Sequence, residues 1–159
     1  MKQTIIIIAF VACSLEVGAQ NRDSLAIVKL VENFITAFNE KDLNLYVSLF
    51  ALDADFYNWQ GKYTHGRKEI EDFHAGVFKR LGPIRLNILS KSIRFLKPDV
   101  ATVVVNEENT NMLSSDGKPL PNRTVNLVWV VTKENSEWLI KMNHTAMLND
   151  GSKPADSKN

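Results

Sequence analysis

Apolar positions recur along this chain in two rhythms, and the change from one to the other divides it. Ile27, Val28, Val31, Phe34, Ile35 and Phe38 follow at three- and four-residue steps, which draws one apolar stripe down a helix. Asp23 and Ser24 are residue types that cap helix starts, so a helix is predicted to run from there to about Lys41. Asp42 is placed to cap a short second helix over 43–50, with Leu45, Leu49 and Phe50 toward the core. Residues 54–59 read as a strand, and Gln60-Gly61 as a tight turn into a short partner over 62–64. Gly66 interrupts the pattern. A third helix is predicted over 67–81, its buried side marked by Ile70, Phe73, Val77, Phe78 and Leu81 and its end by Gly82-Pro83.

Beyond Gly82-Pro83 the pattern becomes one of strands, predicted over 84–96, 100–112, 123–133 and 137–148. The connections are Pro98-Asp99, a polar loop over 114–119, and the turn Glu134-Asn135-Ser136. Helices segregated from a meander of strands mean an α+β fold rather than a doubly wound one. A curved antiparallel sheet wrapped over a long N-terminal helix makes a cone with an internal cavity, and residues 23–148 supply one such domain. Residues 149–159 hold no large apolar side chain and are expected to be a disordered tail.

The first 19 residues follow different rules. Lys2 precedes an apolar stretch from Ile5 to Leu15, and Val17-Gly18-Ala19 supplies the small or aliphatic residues of a cleavage site before Gln20. This is the three-part layout of a secretory signal peptide, and the stretch is too short to span a bilayer. Export to the periplasm or medium of a bacterium is the expectation. The alternative is a lipoprotein, because Val11-Ala12-Cys13-Ser14 resembles a lipidation box that would anchor the chain through Cys13.

Composition narrows the function by exclusion. Lys and Arg number 19 against 18 Asp and Glu, so no basic excess exists to neutralise a phosphate backbone, and nucleic-acid binding is not expected. A single Cys, inside the leader, supports neither a disulfide framework nor a Cys-rich zinc site. His74 and His144 are far apart in sequence and show no local ligand spacing, so no metal is expected. There is no Gly-x-Ser-x-Gly elbow and no glycine-rich phosphate loop.

Three stretches resemble the nuclear-transport-factor-2-like superfamily and, within it, the SnoaL-like branch. They are Phe34-Ile35-Thr36-Ala37-Phe38-Asn39-Glu40-Lys41-Asp42; then Leu49-Phe50 with Asp53-Ala54-Asp55-Phe56, Gly61 and Gly66-Arg67; and lastly Trp138-Leu139-Ile140-Lys141-Met142-Asn143-His144. The superfamily includes ketosteroid isomerase, scytalone dehydratase, polyketide cyclases and non-catalytic association domains. The resemblance therefore implies the cone fold and leaves function to the site. It implies, for an enzyme, cofactor-free proton transfer next to a carbonyl on a small apolar or amphipathic molecule held in the cone.

On that reading Asp55, at the start of a strand, and His144, in the last strand, are the candidate bases. Strict alternation puts His144 on the same inward face as Trp138, Ile140, Met142 and Ala146. Each has a plainer reading: a core histidine with one hydrogen bond, and an aspartate bonding nearby backbone amides. Tyr57, Asn58, Trp59, His74, Trp129 and Met142 are candidate ligand-binding residues. Tyr57 or Asn58 could donate to an oxyanion, but the faces of that strand are not assigned by sequence. His74 is expected at the edge of its helix's buried stripe, His65 exposed, and Arg67 and Lys68 solvated. Finally, Val125, Leu127, Trp129 and Val131 alternate with Asn126, Val128 and Val130, so this strand is apolar on both faces for much of its length. A second layer is then needed, and a homodimer through the sheet would supply it. A non-catalytic homodimeric interaction module of the same fold is the competing function.

Overall fold

The computed structural model describes residues 3–114 and 116–148, with side chains from residue 20 onward. The tail expected over 149–159 lies outside the described residues, as do the side chains of the leader. Three helices, α1 (Gln3–Glu40), α2 (Leu43–Ser48) and α3 (Gly66–Arg80), pack on one face of a six-stranded sheet. Its strands are β1 (Phe50–Tyr57), β2 (Tyr63–His65), β3 (Arg85–Lys97), β4 (Val100–Thr110), β5 (Arg123–Glu134) and β6 (Glu137–Met147), in the order β2-β1-β6-β5-β4-β3. The α+β cone is thus present, with one amendment. The last four strands form the predicted antiparallel meander, but β1 lies parallel to β6, so the sheet is mixed. Among the described residues no helix is long and apolar enough to cross a membrane.

The stripe on α1 buries Ile27, Leu30, Val31, Phe34 and Ala37 against the concave face of the sheet. Phe34 is its centre, with ring centroids 4.9 Å from Tyr46 and 4.8 Å from Trp129. Asp23 does not cap α1, because the helix runs straight through it. Its carboxylate instead accepts from Lys133 Nζ at 2.7 Å and Trp138 Nε1 at 3.0 Å, tying the helix to the β5–β6 hairpin. Asp42 does cap α2, accepting from Leu45 N at 2.9 Å, and α2 buries Tyr46 and Val47.

α3 starts at Gly66, whose φ of +79° favours glycine; a Cβ there would also meet Leu52 O at 3.4 Å. Arg67, expected to be solvated, is half-buried and donates through Nε to Phe50 O at 2.9 Å, with a second guanidinium nitrogen on the same carbonyl. It fixes the start of α3 on the start of β1. Lys68 is exposed and pairs with Asp72, as expected for a solvated helix face.

The curvature comes with irregular strand register. β3 is irregular against β4 at two places, and β6 shifts register against β5 between Ile140 and Met142. A bulge adds twist and bend to a strand, and one extra residue reverses every side chain beyond it. That reversal decides which part of β6 faces inward.

Candidate functional site

The concave face and the three helices leave a cavity of about 160 Å³. Its wall is mostly apolar: Phe34 and Phe38 of α1, Phe73 and Val77 of α3, and Val125 and Leu127 of β5. The polar groups reaching it are few. Glu107 and Asn109 come from β4, Arg123 from the start of β5, Thr145 from β6, Asn58 from just past β1, Tyr46 from α2 and His74 from α3.

Glu107 stands in phase with Ala101, Val103 and Val105 on the inward face of β4, and is 2% exposed. Its Oε2 has no hydrogen-bond partner among the described residues. Burial alone pushes its carboxyl up to about 8, so at neutral pH it is largely an uncharged acid. Asn109, two residues on, likewise has a buried and unpartnered Oδ1.

Tyr46 and His74 form the second polar element. His74 Nδ1 lies 2.8 Å from Ile70 O, and a carbonyl can only accept, so Nδ1 carries the proton. Nε2 is then the acceptor, and Tyr46 O–H donates to it at 3.1 Å. His74 is 3% exposed, and desolvation lowers its basicity to about 4, so the ring is neutral. The Tyr46 hydroxyl is held well above the ordinary phenol value, mainly by burial and further by Glu107 nearby. With its proton committed to His74, the phenol oxygen offers the cavity an acceptor.

Two further lining residues supply donors. Asn58 Oδ1 accepts from the backbone N–H groups of Gln60 (2.9 Å) and Lys62 (2.8 Å), and among the described residues its amide nitrogen has no acceptor. Thr145 Oγ1 accepts from Asn143 Nδ2 at 3.1 Å, so the hydroxyl proton remains available. The site thus combines a neutral acid, an acceptor phenol and two neutral donors around an apolar void.

Of the residues singled out in the sequence, Asn58, Trp59 and His74 line this cavity. His144, Asp55, Tyr57 and Met142 do not, and Trp129 lies behind the wall. His144 was expected inward; it is exposed, because the irregularity at Lys141 shifts the parity of β6 and turns Asn143, Thr145 and Met147 to the concave side. The fully buried Asn143 accepts from Trp129 Nε1 at 2.6 Å. Met142, half-buried, follows His144 off the cavity wall. Asp55 is also on the convex face, where it accepts from Tyr63 O–H at 2.7 Å and His65 Nδ1 at 2.9 Å. Those donors hold its carboxyl below the usual range, the opposite of what a base working near neutrality needs. Tyr57 stacks on Tyr63 at 4.7 Å beside it.

Sequence reasoning missed Glu107, Tyr46, Asn109, Arg123 and Thr145. A signal existed for Glu107, an acid in phase with a run of inward valines. Thr145 became an inward residue only through the irregularity in β6.

A model of the SnoaL-like domain matches residues 19–143. No match is found among curated proteins. Among solved structures, an uncharacterised Caulobacter vibrioides protein with a cystatin-like fold is similar at TM-score 0.73 and 21% identity, over 80% of this chain and 90% of that one. A candidate scytalone dehydratase from Novosphingobium aromaticivorans superposes at TM-score 0.72 and 13% identity, covering 84% of this chain and 89% of that one. A candidate dehydratase of the NTF2-like family from Streptomyces avermitilis gives TM-score 0.71 and 16% identity, with 82% and 99% covered.

Proposed function

Because the chain belongs to the SnoaL-like domain family, we propose that it binds a small amphipathic carbonyl compound in its cone and moves a proton on it without a cofactor. The observation that carries this reading is Glu107, a buried acid whose Oε2 has no partner among the described residues and which faces a mostly apolar cavity. A buried polar group left unpaired costs about 1–3 kcal/mol. A ligand supplies the missing partner.

The size of the void limits the ligand. A cavity of about 150 Å³ accommodates benzene, whereas drug-sized ligands occupy about 300–1,000 Å³. The 160 Å³ here therefore suit a single ring or short chain rather than a steroid. Glu107 titrates near 8, and its ionised fraction takes a proton from the carbon next to the carbonyl, after which the resulting carboxylic acid returns a proton to the substrate. Asn58 and Thr145 are positioned to donate to the oxygen as charge develops there, and Tyr46 accepts from a ligand hydroxyl. Isomerisation and dehydration both fit. The dehydratase candidates among the similar structures support that class.

Ligand-observed NMR of one-ring ketones in D2O tests binding and chemistry together. Binding is expected to disappear in Leu127→Trp, which fills the cavity. Deuterium uptake next to the carbonyl is expected to fall about 100-fold in Glu107→Gln with binding retained. Neither binding nor uptake above buffer, across a panel of such ketones, would overturn the proposal.

A second reading has its own observation. On the convex face Val104 is exposed and Val128 and Val130 are half-buried, an apolar strip that a second copy of the chain would cover. A homodimer through the sheet is compatible with an occupied cone. Export through residues 1–19 is also part of the proposal, supported by a domain match that begins at residue 19.

A further inference from the structure

Arg123 opens β5 at the mouth of the cavity and is paired in register with Asn109 of β4. Its side chain is on the inward face of β5, in phase with Val125 and Leu127, yet the residue is exposed to solvent. Among the described residues it makes no ion pair and no side-chain hydrogen bond. The nearby carboxylates do not occupy it. Glu108 is on the other face of β4, where its Oε1 accepts from Asn122 Nδ2 at 3.2 Å. Glu107 is shifted by burial alone, with no cation contributing. Arg123 is the one cationic side chain lining the described cavity, and the Asn109 amide beside it has an unpartnered oxygen.

A guanidinium is a planar fork of donors that matches a carboxylate in two parallel hydrogen bonds. Its distance from Glu107 can be read from the strand. Asn109, opposite Arg123, lies two residues from Glu107 on the same face of β4, and with the one interstrand step this sets the two backbone positions roughly 8 Å apart. That is about the span of a six-membered ring with its substituents. From this placement we infer that the ligand of the cone is a one-ring carboxylic acid, its carboxylate held at the mouth by Arg123 and its carbonyl-bearing edge directed inward to Glu107. The inference rests on the binding reading above and specifies its ligand class. A carboxylate at the mouth stays half in water, and the ring alone enters the void, which agrees with a cavity of benzene size.

The test compares 4-oxocyclohexanecarboxylate with its primary amide and with the unsubstituted cyclohexanone, by calorimetry on the chain from residue 20. Wild type is expected to bind the carboxylate at least about tenfold more tightly than the amide, the scale of a charge-assisted hydrogen bond. Arg123→Gln should bring the carboxylate down to the amide's affinity while leaving cyclohexanone, which has no group for Arg123 to hold, unchanged. Arg123→Lys, which keeps the charge and loses the fork, should restore only part of the preference. Since the Arg123 side chain holds nothing else in place, neither variant endangers the fold. Equal binding of carboxylate and amide by wild type overturns the inference and leaves the cone as a binding site for neutral carbonyls. A preference that survives in Arg123→Gln overturns it as well. If none of the three compounds binds the folded protein, the cavity reading fails along with it.

Discussion

Glu107 and His74 face one cavity and are both uncharged near neutrality, yet burial shifts them in opposite directions, and stability inherits both signs. Glu107 keeps its proton to about pH 8 in the fold, against an ordinary value of 4.5. Between those values the folded state holds a proton that the unfolded chain has released, so stability falls as pH rises. His74 stays neutral down to about pH 4 in the fold, against an ordinary 6.5. There the unfolded chain holds the extra proton, so stability rises with pH. The two slopes oppose each other between 4.5 and 6.5, and above 6.5 only the loss from Glu107 remains. Urea titrations from pH 6.5 to 8 should show wild type losing about 2 kcal/mol more than Glu107→Gln. Below pH 6.5 the same variant should expose the rise due to His74. Parallel pH profiles for the two proteins would contradict the burial of Glu107 as an unpaired acid. Neither shift was legible in the sequence, because each depends on desolvation by residues distant in the chain. What could be read was narrower: His74 beside a buried stripe, and an acid in phase with valines.

At the scale of elements, β6 is where alternation and structure part. A strict two-residue period puts His144 inward and Asn143 outward. The irregular register at Lys141, opposite the matching irregularity in β1 and next to the Asp53–Lys141 ion pair, reverses this. Asn143 then satisfies Trp129 Nε1 inside the core and sends its amide nitrogen to Tyr57 O at 3.3 Å. Removing it leaves a buried indole N–H without a partner. Asn143→Ala should therefore cost about 1–3 kcal/mol in urea unfolding, while His144→Ala should stay within about 0.5 kcal/mol. The opposite ranking would restore the uninterrupted alternation. Helices and strands were readable because their apolar positions repeat, with α3 and all four long strands within a few residues of expectation. The irregularity was not, since nothing in Ile140-Lys141-Met142 marks an extra residue until its partner strands are known.

Seen as a whole molecule, the cone depends on one pairing made across most of its length. Among the described residues, β1 joins the rest of the sheet only through its parallel contact with β6, and β2 is attached only to β1. Take β6 away and the sheet separates into a small hairpin and a three-stranded meander, with Trp129 losing Asn143 and α1 losing Trp138. Contacts between segments so far apart in sequence are slow to form, because the loop between them must be closed first. A chain cut before Glu137 should therefore show no cooperative unfolding transition by circular dichroism, even though it retains all three helices and five of the six strands. A sharp transition in that fragment would show that the remaining strands fold alone. The same arrangement sets a timetable for synthesis. The cavity wall includes Thr145 and Met147, so it cannot be completed until β6 has left the ribosome, and a nascent chain without β6 has an open cone.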